Sequence, residues 1–212
     1  MTIDALTSAA VAPTTKTRSR GRPREFDMDA ALDAALRVFS ERGYHAASIS
    51  ELTEAMGLAS GSVYKAFKDK RGIFLAAFDR YRAVRRGLLD ARMAKAATGR
   101  EKIREVLAHY ALSSHGASGR CGCLVVSSAN DLALFDAEAA DRVAAAFAAN
   151  EALIGDLLRL GQSDGSIADE IDAAATARTL LCVTKGMRVV GKTGRSEEEM
   201  VAVAETAMKL LA

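Results

Sequence analysis

After Pro23 the chain runs to Ala212 without a single proline. The strongest helix breaker is therefore missing from the whole body of the protein. In that body the apolar residues recur at intervals of three and four, not in alternation, so the predicted fold class is all-α. From Asp27 to Arg42 the residues Met28, Ala31, Leu32, Ala35, Val38 and Phe39 make one stripe, which Gly43 closes. Asp69 occupies an N-cap position before a long helix in which Ile73, Phe74, Ala77, Phe78, Tyr81, Val84 and Leu88 repeat at helical spacing. Further helices are expected near residues 100–115, 122–132, 136–163, 171–191 and 196–211, with glycines at 116, 119, 161, 165, 191 and 194 as stops. Ser196 with Glu199 forms a capping box, followed on one face by Met200, Val203, Ala204, Ala207, Met208 and Leu211.

The segment Ser48–Lys70 carries the most specific chemistry. Ser48 and Glu51 make another capping box, Ile49, Leu52, Ala55 and Met56 share a face, and Gly57 supplies the left-handed residue that ends the helix. A second short helix follows, with Val63 and Phe67 inward and polar residues on its other faces. This pattern is a helix-turn-helix, whose second helix can enter a DNA major groove. Small residues at Ser60, Gly61 and Ser62 allow a helix N-terminus to approach phosphates closely. Ser48, Tyr64, Lys65 and Lys70 add hydroxyl donors and cations suited to phosphate oxygens. Ser48, Ser60, Gly61, Ser62, Tyr64, Lys65 and Lys70 are thus the candidate DNA contacts of this segment.

Gly57-Leu58, then Ser60-Gly61-Ser62-Val63-Tyr64, then Phe67 and Lys70 resemble the signature of the TetR family of transcriptional regulators. The stretch from Phe39 through Gly43-Tyr44 to Ser48 is similar to the same family's first helix and connection, and the resemblance spans about Gly21 to Phe78. Ala66 stands where many members carry His or another bulky side chain. The resemblance implies a three-helix DNA-binding domain joined to a helical ligand-sensing and dimerisation domain. It also implies a repressor working as a homodimer, through a four-helix interface built from the last two long helices of each subunit. Wide apolar faces in the penultimate segment, with Ala173, Ala174, Ala177, Leu180, Leu181 and Val183, suit such an interface.

Charge is unevenly divided. Residues 1–100 hold 18 Lys and Arg against 11 Asp and Glu, and the remainder holds 11 against 16. The basic half is the one with the helix-turn-helix, as expected when one part meets nucleic acid. Residues 1–24 show no helical or strand period and read as a disordered basic arm. Within it Arg20-Gly21-Arg22-Pro23 resembles an AT-hook core, and Arg20, Arg22 and Arg24 are candidate minor-groove contacts. The helix-turn-helix domain is assigned to residues 25–70 and the regulatory domain to 71–212. Arg80, Arg82, Arg85 and Arg86 crowd the middle of the long helix, where a solvated face is the ordinary interpretation.

The regulatory domain is less legible. Cys121-Gly122-Cys123-Leu124 is expected to open a helix, and Val125-Val126-Ser127-Ser128-Ala129-Asn130 is similar to a sequence in one branch of TetR-like regulators. A thiolate at a helix N-terminus beside Arg120 would be stabilised, so Cys121 and Cys123 are candidates for sensing an oxidant or electrophile. Burial as a small apolar residue is the competing interpretation for both, and Cys182, in a strongly apolar segment, reads as structural. His109, Tyr110, Phe147 and Met187 could line a cavity for a small apolar ligand. Cys-x-Cys with His109 and His115 matches none of the strong zinc patterns, so no metal centre is assigned.

No phosphate-cradling glycine loop, zinc-protease motif or nucleophile elbow occurs, so neither an enzyme nor a cofactor is expected. No apolar run approaches the roughly 18 residues of a membrane span. The sequence predicts a cytoplasmic regulator whose partners are a double-stranded DNA operator, a second copy of itself, and an unidentified small-molecule inducer or oxidant. The competing readings are an architectural protein that binds A·T-rich DNA through the arm and, further off, a thiol-dependent enzyme.

Overall fold

The structure, a computed structural model, describes residues 27–132 and 136–212. The basic arm with Arg20, Arg22 and Arg24 lies outside the described residues. The helices are α1 (Met28–Ala46), α2 (Ile49–Ala55), α3 (Ser60–Phe67), α4 (Lys70–Met93), α5 (Gly99–Leu112), α6 (Gly116–Cys121), α7 (Leu124–Asn130), α8 (Ala137–Ser163), α9 (Ala173–Val190) and α10 (Glu197–Ala207). Short 3₁₀ turns at Gly191–Thr193 and Met208–Leu211 extend α9 and α10, and no strand occurs among the described residues.

The caps are where the sequence puts them. Ser48 and Glu51, and likewise Ser196 and Glu199, exchange reciprocal capping bonds, while the Asp69 carboxylate accepts from Gly72 N–H at 2.8 Å. Gly43, with φ 77° and ψ 168°, interrupts α1 so that the chain turns towards α2. The expected helix over 100–115 stops at Leu112. A separate six-residue helix, α6, follows it, and Cys121 closes α6 instead of opening the next helix.

At the corner between α3 and α4 the chain is unusually tight. Lys68 has φ 68° and ψ −51°, and Asp69 N–H donates to the Phe67 carbonyl at 2.8 Å, which makes a γ-turn around Lys68. A Cβ on Gly72 would overlap the Phe67 carbonyl oxygen, so the close approach of the two helices requires glycine there. The orientation of α3 on α4 is therefore fixed by backbone as well as by side-chain packing.

Two apolar cores run along the molecule. One joins Phe39 of α1, Leu52, Val63, Phe67, Phe74 and Phe78 to Cys123, Leu124 and Val125 around α7 and to the start of α8. Phe39 and Phe74 meet edge to face with centroids 5.1 Å apart. The other gathers Leu89 and Met93 of α4 with Ile103, Leu107, Ile154, Leu158, Leu180 and Leu211. The core of the helix-turn-helix thus continues past residue 70 into α4 and α7.

Helix α4 threads both cores, but not on the expected stripe. Val84 and Leu88 are exposed, and Leu89 and Met93 are buried in their place. Eleven residues make about three turns, so Leu89 returns to the face of Phe78, whereas Val84 lies about 120° away. On that same face, between the two cores, fall Arg82 and Arg85.

Candidate nucleic-acid interface and effector cavity

The helix-turn-helix presents a coherent outer face. In α3, Val63 and Phe67 are buried, while Ser60, Gly61, Ser62, Tyr64 and Lys65 are all exposed. Ala59 is the N-cap residue and no side chain caps the first turn of α3; Ser62 and Val63 N–H donate to the Ala59 carbonyl, which leaves the Ser60 and Gly61 amides available to an anion. The structure brings these five residues together on one surface.

Two other candidates are occupied within the protein. The Ser48 hydroxyl donates to Glu51 Oε2 at 2.9 Å and accepts from Glu51 N–H at 3.1 Å, so it serves the cap. Lys70 corrects the expectation of a free phosphate donor. Its ammonium donates to the carbonyls of Tyr44, His45 and Ala47 at 3.0, 3.3 and 3.1 Å and stacks 4.7 Å from the Tyr44 ring centroid. The chain turns sharply after Gly43, leaving carbonyls without helical partners, and Lys70 gathers them.

Between the two cores lies a cavity of about 350 Å³. His109 and Tyr110 line it, as expected, and so does Cys123. Cys121 is exposed and Met187 is packed in the second core; neither lines the cavity. Phe147 reaches it only indirectly, its ring centroid 5.8 Å from Lys185 Nζ. Cys182, expected to be structural, is exposed on α9. No group of three His, Cys, Asp or Glu side chains suited to a metal ion occurs among the described residues.

Cys123 is the N-cap residue of α7 and is buried. Burial alone would push its thiol up. The Tyr81 hydroxyl, the Val126 N–H and the charges of Arg188 and Lys185 outweigh burial, and hold it below the ordinary thiol value. Burial and the Cys123 charge push the Tyr81 phenol up in turn, so Tyr81 remains a donor. Arg120, expected to assist, is exposed, and Arg188 and Lys185 take that part from α9. His109 is pushed down to about 4 by burial, then by Arg85, Arg92, Arg188 and Lys185, so its imidazole is neutral at pH 7.

The residues missed by the sequence reading are Tyr81, Arg82, Arg85, Lys185 and Arg188, all of which line the cavity. For Arg82 and Arg85 a signal existed, the eleven-residue return from Phe78 to Leu89.

Packing and ion pairs connect the cavity wall to the helix-turn-helix. Cys123 belongs to the same apolar core as Leu52, Val63 and Phe67. At the start of α8, Asp136 and Glu138 hold Arg71 of α4, which draws the Asp136 carboxyl down to about 2. Arg142 of α8 bridges Glu138 to Asp79 of α4. His45, at the end of α1, pairs with Asp131 beyond α7 at 3.1 Å.

Comparison with known proteins gives this architecture a family. Residues 31–77 match the model described as bacterial regulatory proteins, tetR family, and residues 99–207 match the tetracyclin repressor-like C-terminal domain. The HTH-type transcriptional repressor ComR of Escherichia coli (strain K12) is 30% identical over 205 residues, covering 91% of this chain and 92% of that repressor. Cysteine mutants of the TetR family transcriptional regulator CifR, solved with 26-base-pair operator DNA, are similar throughout. One is 32% identical with a TM-score of 0.76, covering 89% of this chain and 98% of that one. A second is 30% identical with a TM-score of 0.78, covering 91% and 100%. The chain belongs to the TetR family of bacterial transcriptional regulators.

Proposed function

We propose that this protein is a DNA-binding transcriptional repressor that leaves its operator when a small molecule enters the cavity or modifies Cys123. The observation that carries the DNA reading is the outer face of α3, with an uncapped first turn and Ser60, Gly61, Ser62, Tyr64 and Lys65 exposed together. The repressor named among its relatives, and the operator complexes of CifR, support it. The basic arm would add minor-groove contacts through Arg20, Arg22 and Arg24, and the cytoplasm is the compartment such a function requires.

A helix-turn-helix reads a two-fold site as a dimer. The dimer forms through α9 and α10, where Cys182, Val189, Val190, Val203 and Leu210 are exposed on the single chain. Each recognition helix enters one major groove of a near-palindromic operator. Modification of Cys123 would displace α7, and through Arg71, Arg142 and His45 it would shift α4 and α1. The trigger releases DNA only as far as it binds the released state more tightly than the bound one.

The test is the double substitution Tyr64→Ala and Lys65→Ala, followed by size-exclusion chromatography and fluorescence anisotropy on operator DNA. Operator binding should vanish while the dimer stays folded, because exposed substitutions cost roughly 0.5 kcal/mol or less. Unchanged affinity would mean that α3 is not the reading head. For the trigger, Cys123→Ser should abolish release by thiol reagents, and release that survives this change would remove Cys123 from the mechanism.

A further inference from the structure

The cavity holds an excess of positive charge that its own walls do not balance. Arg85 donates to the Ser113 hydroxyl, Lys185 to the Tyr110 hydroxyl at 2.9 Å, and Arg188 to the carbonyls of Gly122 and Ser118. Arg82 makes no hydrogen bond or ion pair among the described residues. All four line the cavity and none meets a carboxylate, whereas Arg86, which lines it too, is paired with Asp90. The acid in the wall, Asp79, is bound to Arg142. Elsewhere the chain pairs its arginines, with Arg71 on Asp136, Arg80 on Asp33 and Arg92 on Glu105.

Arg188 is the sharpest case. Its side chain is buried to 3% exposure, Nη2 is held by the loop carbonyls, and Nη1 has no partner at all. An unpartnered guanidinium nitrogen in a buried wall is costly unless something arrives to meet it. Cys123, even when ionised, could balance only one of these cations.

We propose that this cavity is an anion site, which takes a small organic molecule bearing a carboxylate or a comparable oxyanion. The charged end is held by Arg188 Nη1 with Arg85 and Lys185, and Leu89 and Val125 cover the apolar body beside Cys123. A charge-assisted hydrogen bond from the free Nη1, with the neighbouring cations, suits the oxygens of such a group. The volume, roughly that of a dozen liquid waters, limits the ligand to a small molecule. The proposal rests on the assignment of the cavity as the effector site and names the chemistry that site selects.

The reporter is Cys123 itself, with Cys121 as the exposed control in the same chain. Iodoacetate and iodoacetamide both alkylate a thiolate, forming a C–S bond as iodide leaves, and differ in carrying a carboxylate or a neutral amide. Their rates at each cysteine are read by peptide mass spectrometry on the full-length protein. The ratio of iodoacetate to iodoacetamide rate at Cys123 should exceed that at Cys121 by at least about tenfold, the effect of about 1.4 kcal/mol of preferential binding. Arg188→Met should bring it back to the control value. Because Arg188 also holds the α6–α7 loop, Arg85→Met and Lys185→Met are measured beside it, and each should lower the ratio.

Calorimetry with butyrate, butyramide and inorganic phosphate completes the test. Butyrate binding without butyramide binding supports an organic carboxylate, and binding of phosphate alone moves the site to a free oxyanion. An equal or smaller ratio at Cys123, or no binding of either anion, overturns the proposal. Anion binding that leaves operator affinity unchanged would defeat the effector assignment while the anion site stands.

Discussion

Replacing Lys70 with Met separates two roles that a lysine beside a recognition helix can play. In the structure its ammonium donates to three carbonyls, those of Tyr44, His45 and Ala47, and lies against the Tyr44 ring. Hydrogen bonds from a charged donor contribute about 1.5–3 kcal/mol each. Here one half-buried ammonium shares three of them with solvent nearby, so the total is about 2–3 kcal/mol. For a chain of this length each kcal/mol moves Tm by about 2–4 °C, and Lys70→Met should lower it by about 4–12 °C. A phosphate contact would behave differently. Losing one from each subunit of the dimer would reduce the slope of log affinity against log salt concentration by about 1.8 and leave Tm nearly unchanged. Thermal denaturation and anisotropy at four salt concentrations distinguish the two. The structural role predicts a lower Tm with the salt slope preserved, whereas a shallower slope at constant Tm would refute it.

Three further perturbations probe the corner, the cavity and the link between them. Gly72→Ala forces a Cβ into the Phe67 carbonyl and should cost about 3 kcal/mol in denaturant unfolding while weakening operator binding; a neutral effect would contradict the fixed α3–α4 corner. His109 has a folded value of about 4 against about 6.5 unfolded, so the unfolded chain takes up its proton first as pH falls. Its contribution leaves stability intact above about pH 6.5 and removes up to about 3 kcal/mol by pH 4; His109→Gln should flatten that part of the stability profile, and an identical profile would refute the assignment. Arg71→Gln breaks the tie from α4 to α8. It should keep operator binding but blunt release by Cys123 modification, and full release would place the coupling elsewhere.

The elements that sequence reasoning found are those whose signals are local. Ser48 with Glu51, Asp69, Gly57 and the inward pair Val63 and Phe67 depend on neighbours within a turn or two, and each sits where its chemistry requires. What was missed depends on partners far along the chain. Lys70 meets carbonyls more than twenty residues away, and Cys123 is tuned by Tyr81, Lys185 and Arg188 from two other helices. Helix α6 escaped because six residues including Gly116 and Gly119 carry no apolar period. Four arginines within seven residues read as a solvated face, although the α4 repeat turns Arg82 and Arg85 inward. Cys182 looked structural because its neighbours are apolar, yet they face the core and it faces out.

The most direct test of the account is selection from a pool of random duplex DNA with the full-length protein, followed by sequencing and anisotropy on the enriched duplex. The account predicts a two-fold symmetric site bound by a dimer about 1,000-fold or more above a scrambled duplex, and lost in the Tyr64→Ala, Lys65→Ala variant. Enrichment of A·T-rich tracts without symmetry, bound equally by that variant, would contradict it and assign the DNA affinity to the basic arm.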